Sequence, residues 1–135
     1  MISLKAQYGL KAIVALAANY GKGALQAKEI AGSQDVPVRY LELLLSQLRR
    51  ARLVEATRGK KGGYYLSKKP TTITVFDIVA AFEGSVLFPQ NGRDGSDSLS
   101  FVWKEAEKSI VKYFRSIKVS DLIPKLKSGK EMYHI

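Results

Sequence analysis

The sequence contains no cysteine, and its single histidine, His134, stands next to the last residue. Without thiols the chain cannot form disulfides, thiolate zinc sites or cysteine-ligated iron–sulfur clusters, and it has no cysteine nucleophile. With only one imidazole, a metal site would have to use oxygen ligands, and we expect no catalytic triad. These absences remove thiol chemistry and most nitrogen-ligated metal chemistry from the possible functions.

Acidic residues are also scarce: 12 Asp and Glu stand against 22 Lys and Arg, which gives a formal net charge of +10. The excess is one-sided, because residues 1–69 hold 13 of the cations and 4 of the acids. This distribution indicates that the first half meets a polyanion, and a generally basic, solvated surface is the alternative. The carboxylates form no recognisable catalytic pair and no phosphate-binding loop is present, so we expect no enzyme.

Long hydrophobic runs are absent too. The best candidate, AIVALAA at 12–18, has seven residues and follows Lys11, whereas a membrane-spanning helix needs about 20 apolar residues. The composition is 46% hydrophobic in a chain of 135 residues, which suits one globular domain or one domain with an appendage. We therefore expect a protein of the cytoplasm.

Three helices are predicted in the basic half. The first spans about 3–20 with Ser3 as its cap, and a short second helix spans about 26–32. The third helix, 37–51, has Pro37 in its first turn, where the missing N–H is not needed.

The third helix has two contrasting sides at about 100° per residue. One side is an apolar stripe of Leu41, Leu44, Leu45 and Leu48. The other side is mainly cationic and carries Arg39, Glu42, Leu43, Ser46 and Arg50. Glu42 could accept a hydrogen bond from a cytosine amino group or pair with Arg39 within the helix. Leu43 could touch a thymine methyl group or be packed by another part of the chain.

Residues 53–58 and 63–67 predict two short strands joined by a glycine-rich loop, that is, a β-hairpin spanning 53–67. Its loop cations are expected to meet DNA, with Arg58 in the narrow minor groove and two lysines at phosphates, Lys60 and Lys61. An ordinary surface hairpin with solvated lysines is the alternative. The residues that follow are expected to pack the hairpin onto the domain: Tyr64, Tyr65 and Leu66.

The second half predicts three further segments. A helix at about 74–83 completes a first domain of residues 1–84. Residues 85–100 are predicted to be a flexible loop, because the polar stretch 89–100 within it shows no periodicity. A long helix is predicted at about 100–118, and residues 101–135 are assigned to this dimerisation helix and the C-terminal segment. Its apolar side is expected to pair with a second copy, although packing on its own domain is the alternative. That side consists of Trp103, Ala106, Ile110, Tyr113, Phe114 and Ile117.

The order of helices followed by a basic hairpin is that of a winged helix-turn-helix. The predicted fold class is therefore mainly α with a small β-hairpin, plus a long C-terminal dimerisation helix. Three segments resemble the Rrf-type winged-helix transcription regulators: YLELLLSQLRRARLVEATRGKKGGYYL (40–66), LKAQYGLKAIVALA (4–17) and ITVFDIVAAFEG (73–84). The resemblance implies a homodimer on a palindromic operator. It also implies DNA contacts from Arg39, Tyr40 and Glu42 of the recognition helix and from Arg58 and Gly59 of the wing.

The chain departs from that family's pattern in two places. Gln7 stands where many members have a basic residue, which leaves one phosphate contact without its cation. Cluster-carrying members have three cysteines and a histidine before the long helix, whereas this chain has none of them there and Ser100 stands about where the histidine would be. We therefore expect no iron–sulfur cluster, no other cofactor and no metal site. The effector is left open between a small molecule and a partner protein.

The sequence thus predicts a sequence-specific DNA-binding transcriptional regulator, a cytoplasmic, nucleoid-associated and dimeric repressor. A non-specific nucleic-acid-binding protein and a winged-helix protein-interaction module are the alternatives. The predicted DNA-binding residues are Lys28, Arg39, Tyr40, Glu42, Leu43, Ser46, Arg49, Arg50, Arg58, Gly59, Lys60, Lys61 and Tyr64.

Overall fold

Helices and one β-hairpin make up the computed structural model, which describes residues 2–84 and 98–124. The predicted fold class, mainly α with a small β-hairpin, is confirmed. No helix within these two ranges is long and apolar enough to cross a membrane. Of the loop predicted at 85–100, residues 85–97 lie outside the described ranges. The elements are α1 (Leu4–Ala18), α2 (Ala27–Gln34), α3 (Val38–Arg50), β1 (Val54–Thr57), β2 (Gly63–Leu66), α4 (Val75–Glu83) and α5 (Ser100–Ser116), with a 3-10 turn at Pro70–Thr72 and further helical residues at 119–124.

The first helix lies at the centre of the core and contacts α2, α3, α4 and β2. Its start is capped as predicted, because the Ser3 hydroxyl accepts the Ala6 N–H at 3.4 Å. Small residues allow its neighbours to approach closely. A Cβ atom on Gly9, for example, would collide with the ring of Phe82 on α4. The alanine-rich composition of α1 thus reflects burial on several sides.

The second helix is longer than the sequence predicts. It continues past Gly32 to Gln34, and Asp35 ends it in the left-handed conformation with φ 56°. The two added residues include Gln34, which is buried and lies one turn after the buried Ile30 on the same face. Pro37 then occupies the cap position of α3 and the helix begins at Val38.

The leucine stripe of α3 is fully buried. Leu41, Leu44, Leu45 and Leu48 each have 0% exposure. Leu41, Leu45 and Leu48 pack among residues of α1, α2 and the hairpin, including Ile13, Ile30 and Val54. The four-leucine prediction is confirmed, and it fixes which side of α3 faces the solvent.

The hairpin is attached to the rest of the domain by an isolated β-bridge between Tyr64 and Leu25. β1 and β2 pair antiparallel, with Val54 opposite Leu66 and Glu55 opposite Tyr65. On the other edge of β2, the Tyr64 N–H donates to the Leu25 carbonyl at 2.7 Å and the Leu25 N–H donates back at 2.9 Å. The hairpin therefore cannot move independently of the connection between α1 and α2.

One of the three residues predicted to pack the hairpin onto the domain does not do so. Tyr64 and Leu66 face the core, but Tyr65 is 41% exposed. The reason is the two-residue period of a strand, which turns Tyr65 to the opposite face of the hairpin. The prediction for Tyr65 was wrong.

The fourth helix joins the first domain to α5. Thr74 and Asp77 form a capping box at its start, and Gly84 follows its end with φ 80°. The last turn of α5 is tied back to this start, because the Val75 N–H donates to the Ile117 carbonyl at 3.0 Å and the Val119 N–H donates to the Ile73 carbonyl at 2.8 Å. The end of α5 and the start of α4 therefore form one hydrogen-bonded joint.

The apolar side predicted for self-association is divided in the structure. Ile110, Phe114 and Ile117 are partly buried against Val75 and Val79 of α4. The remaining members stay more open: Trp103 is 51% exposed, Tyr113 is 63% exposed and Ala106 is half-buried. Packing on its own domain therefore applies to one part of the stripe, and pairing of the outward-facing part with a second copy stays a prediction.

We expect Leu45→Ala to lower the free energy of unfolding by about 2–5 kcal/mol, because it leaves a cavity in a fully buried site. Leu43→Ala on the same helix is the matched control and should change it by no more than about 0.5 kcal/mol. Urea unfolding followed by circular dichroism measures both. Similar losses in the two variants would mean that α3 is rotated from the orientation described.

Candidate nucleic-acid interface

The outer face of α3 is the largest group of predicted site residues that the fold brings together. Its side chains project into solvent because the leucines on the opposite side are held in the core. The exposed members are Arg39, Glu42, Leu43, Ser46, Arg49 and Arg50. No other part of the described chain covers this face, so it is available to a partner.

Two contacts that the sequence raised as alternatives to DNA binding are absent from this face. Within the described residues, neither Arg39 nor Glu42 forms an ion pair, so the intrahelical pair is absent. Leu43 is 65% exposed, so no other segment packs over it. A free carboxylate and a free apolar side chain therefore stand side by side on a cationic surface.

Tyr40 lies at the edge of this face with its ring held in place. It packs edge-on against Tyr8 of α1, with 5.7 Å between ring centroids and 89° between ring planes. The Lys11 ammonium lies over the Tyr8 ring, 5.6 Å from its centroid. Such contacts orient the Tyr40 ring and leave it half-buried.

A cleft of about 270 Å³ runs between the start of α1 and the outer face of α3. It brings together Lys5, Tyr40, Leu43, Leu44, Ser46, Gln47 and Arg50. Lys5 is a residue that the sequence analysis missed, and Arg50 was predicted. The sequence signal for Lys5 was a lone cation in the first turn of α1, and no local pattern says that this turn meets α3.

The start of α1 is anchored from the far end of the domain. Glu83, the last residue of α4, accepts the Ser3 backbone N–H at 2.7 Å. Hydrogen bonds from the Ser3 side chain and backbone, together with the nearby Lys5 charge, hold the pKa of Glu83 below its ordinary value. The carboxylate is therefore charged at neutral pH and fixes the turn that carries Lys5.

The hairpin tip is the second exposed cationic group. Arg58, Gly59, Lys60 and Lys61 are all exposed. Gly59 has φ 108° with open space around it, and its carbonyl accepts the Gly62 N–H at 3.0 Å to close the turn. This tight turn lets the backbone approach a partner closely.

Two predicted DNA-binding residues lie apart from these groups. Lys28 is exposed on α2. Tyr64 is half-buried, its ring packs against the core and its backbone pairs with Leu25. The structure thus gives Tyr64 a clear packing role, and any contact with a partner would use only the open part of its ring.

A separate apolar surface lies along α5. Large side chains there are open to solvent: Leu99 is 61% exposed, Val102 is 42% exposed, and Trp103 and Tyr113 lie beside them. At about 100° per residue these four side chains share one side of the helix. Phe101, which is 60% exposed, lies on a different side.

A family model, Rrf2, described as an iron-dependent transcriptional regulator, matches residues 2–125. A putative HTH-type transcriptional regulator of Synechocystis is 40% identical over 126 residues, covering 90% of this chain and 86% of the relative. The HTH-type transcriptional regulator CymR of Bacillus subtilis is 33% identical over 132 residues, covering 98% of this chain and 96% of CymR.

Solved structures agree with the sequence relatives. The structure of CymR, described as the global cysteine regulator of B. subtilis, superposes with a TM-score of 0.82 at 33% identity, covering 93% of this chain and 97% of that one. IscR of T. potens superposes with a TM-score of 0.80 at 34% identity, covering 98% and 96%. The matched family and these neighbours are transcriptional regulators and not enzymes.

Proposed function

Because this chain belongs to the Rrf2 family of DNA-binding transcriptional regulators, we propose that it is a dimeric repressor bound to a palindromic operator. The outer face of α3 enters the major groove, which is wide enough for one helix. The observation that carries this proposal is the uncovered, cation-rich face of α3 opposite a fully buried leucine stripe.

The exposed groups divide into those that give affinity and those that give specificity. Arginines and lysines on α3 and at the hairpin tip neutralise phosphates, whatever the base sequence. The unpaired Glu42 accepts a hydrogen bond from a cytosine amino group, and the exposed Leu43 contacts a thymine methyl group. Arg58 at the tip of the hairpin enters the adjacent minor groove, where a narrow groove attracts a guanidinium.

The open apolar surface of α5 supports the homodimer. Trp103 and Tyr113 would be costly to leave in water, and a second copy related by two-fold symmetry would cover both at once. Two-fold symmetry then places the two α3 helices on half-sites roughly one DNA turn or somewhat more apart.

The donor set does not fit a cysteine-ligated iron cluster. The chain has no cysteine, its one histidine is His134, and the described residues contain no group of three His, Cys, Asp or Glu side chains placed to hold a metal. Ser100, the first residue of α5, is buried at 8% exposure. It stands about where cluster-carrying members of the family have a histidine ligand. We propose that this chain works in the cytoplasm without a cluster and responds to a small molecule or a partner protein.

The test is to select bound duplexes from genomic fragments and to compare the selected site with random duplex. We expect preferential binding to the selected site, with affinity falling about a thousandfold between 50 and 200 mM salt if about six phosphates are neutralised. Equal affinity for random duplex would indicate a non-specific nucleic-acid-binding protein. Retention of a protein partner without DNA would indicate an interaction module.

We expect Glu42→Ala to reduce discrimination at one cytosine of the operator by about 1–3 kcal/mol. Affinity for other sequences should rise, because the variant removes repulsion between a carboxylate and phosphates. Competition binding with single-base operator variants measures both effects. Glu55→Ala, which removes an exposed acid from the hairpin, is the control and should leave discrimination unchanged. Unaltered discrimination in Glu42→Ala would contradict the cytosine contact.

We expect Trp103→Glu to dissociate the dimer, because it places a charge in the apolar contact. Phe101→Glu is the matched control, since Phe101 is as exposed as Trp103 but lies on a different side of α5. Sedimentation velocity at micromolar concentration distinguishes monomer from dimer. A Trp103→Glu dimer as stable as the parent would rule out this face as the interface.

A further inference from the structure

We propose that the cleft between α1 and α3 binds one backbone phosphate of the DNA, held by Lys5 and Arg50. This inference rests on the proposed function and deepens it, because it names the ligand chemistry of a cleft that sequence analysis did not find. The two cations come from different helices, and the first turn of α1 therefore becomes part of the DNA-binding surface.

Five of the seven side chains that line the cleft match the chemistry of a phosphate, and Leu43 and Leu44 form its apolar part. Lys5 and Arg50 supply positive charge, and no carboxylate is among the lining residues. Three neutral side chains add hydrogen-bond donors from the same walls: Tyr40, Ser46 and Gln47. Charged and neutral donors of these types are the ones that proteins use on phosphate oxygens.

The position of the cleft favours one group of a large ligand bound along the protein surface. The cleft, of about 270 Å³, opens between two helices. The cleft also lies on the outer face of α3, beside Leu43. A phosphate bound here would stand next to the bases that this face reads, and it would fix the register of α3 in the groove.

The walls of the cleft are held in place before any ligand arrives. The turn that carries Lys5 is fixed by the Ser3 cap and by the hydrogen bond of 2.7 Å from the Ser3 N–H to Glu83. The Tyr40 ring is fixed by its contact with Tyr8. Less conformational freedom is therefore lost when a phosphate binds, which is the benefit of a preorganised site.

The experiment measures binding to the selected operator and to random duplex as a function of salt, for Lys5→Gln and Arg50→Gln. Each variant should bind both duplexes about eightfold more weakly at 0.1 M salt, with a salt slope lower by about 0.9. Lys112→Gln removes one exposed cation from α5 and is the control. It should change neither quantity. Unchanged affinity and slope in both cleft variants would overturn the proposal.

A neutral methylphosphonate at single operator positions identifies the phosphate. At one position, the replacement should weaken operator binding by the parent protein. At that position it should cause no further loss of affinity in Lys5→Gln or in Arg50→Gln. If the two variants couple to different phosphates, or to none, the shared site is wrong. The parent protein could bind all sequences equally while the two variants still show a smaller salt dependence of affinity. That result would support phosphate binding in the cleft and contradict the proposed operator specificity.

A free anion could offer the same chemistry, and calorimetry with inorganic phosphate and no DNA tests that source. We expect no saturable binding at millimolar phosphate, because one phosphate lacks the neighbouring contacts of a duplex. Saturable binding that is lost in Lys5→Gln would assign the cleft to a free anion and would overturn the DNA assignment.

Discussion

The burial of four leucines on one side of α3 is the constraint on which the rest of the structure depends. Each of these side chains is excluded from solvent, so α3 cannot rotate about its axis without exposing a leucine and burying a charge, both of which are unfavourable. The residues on the outer face of α3 are therefore the ones that the protein exposes to solvent at this place. An unpaired acid and an exposed leucine are tolerated there because they are held outward.

The elements around α3 convert this single helix into an extended surface. α1 supplies a cation and the aromatic support of Tyr40, and the hairpin supplies a basic tip. Both are fixed by hydrogen bonds to distant segments. The backbone of β2 pairs with that of Leu25, and the Ser3 N–H donates to the Glu83 carboxylate. The cations are consequently presented on rigid supports, which lowers the entropy lost when a partner orders them.

The sequence was sufficient where a feature depends on one local pattern. The leucine stripe of α3, the Ser3 cap and the strand pair were all readable, because periodicity and capping act within a few residues. It was insufficient where two distant segments meet. The stripe of α5 is divided because α4 packs on part of it, and Lys5 meets α3 because α1 packs against α3. The outward side of Tyr65, by contrast, follows from the two-residue period of a strand, which is a local pattern. The DNA-contacting roles of individual residues remain predictions.

The hydrogen-bonded joint between the last turn of α5 and the start of α4 has a mechanical consequence. Its two backbone hydrogen bonds, from Val75 to Ile117 and from Val119 to Ile73, hold the end of α5 against the start of α4. A tilt of α5 would therefore drag α4, and the close contact of Phe82 with Gly9 would pass the displacement to α1. A displacement of α5 would thus reach α1, the helix that carries Lys5, through the contacts of α4 with both helices.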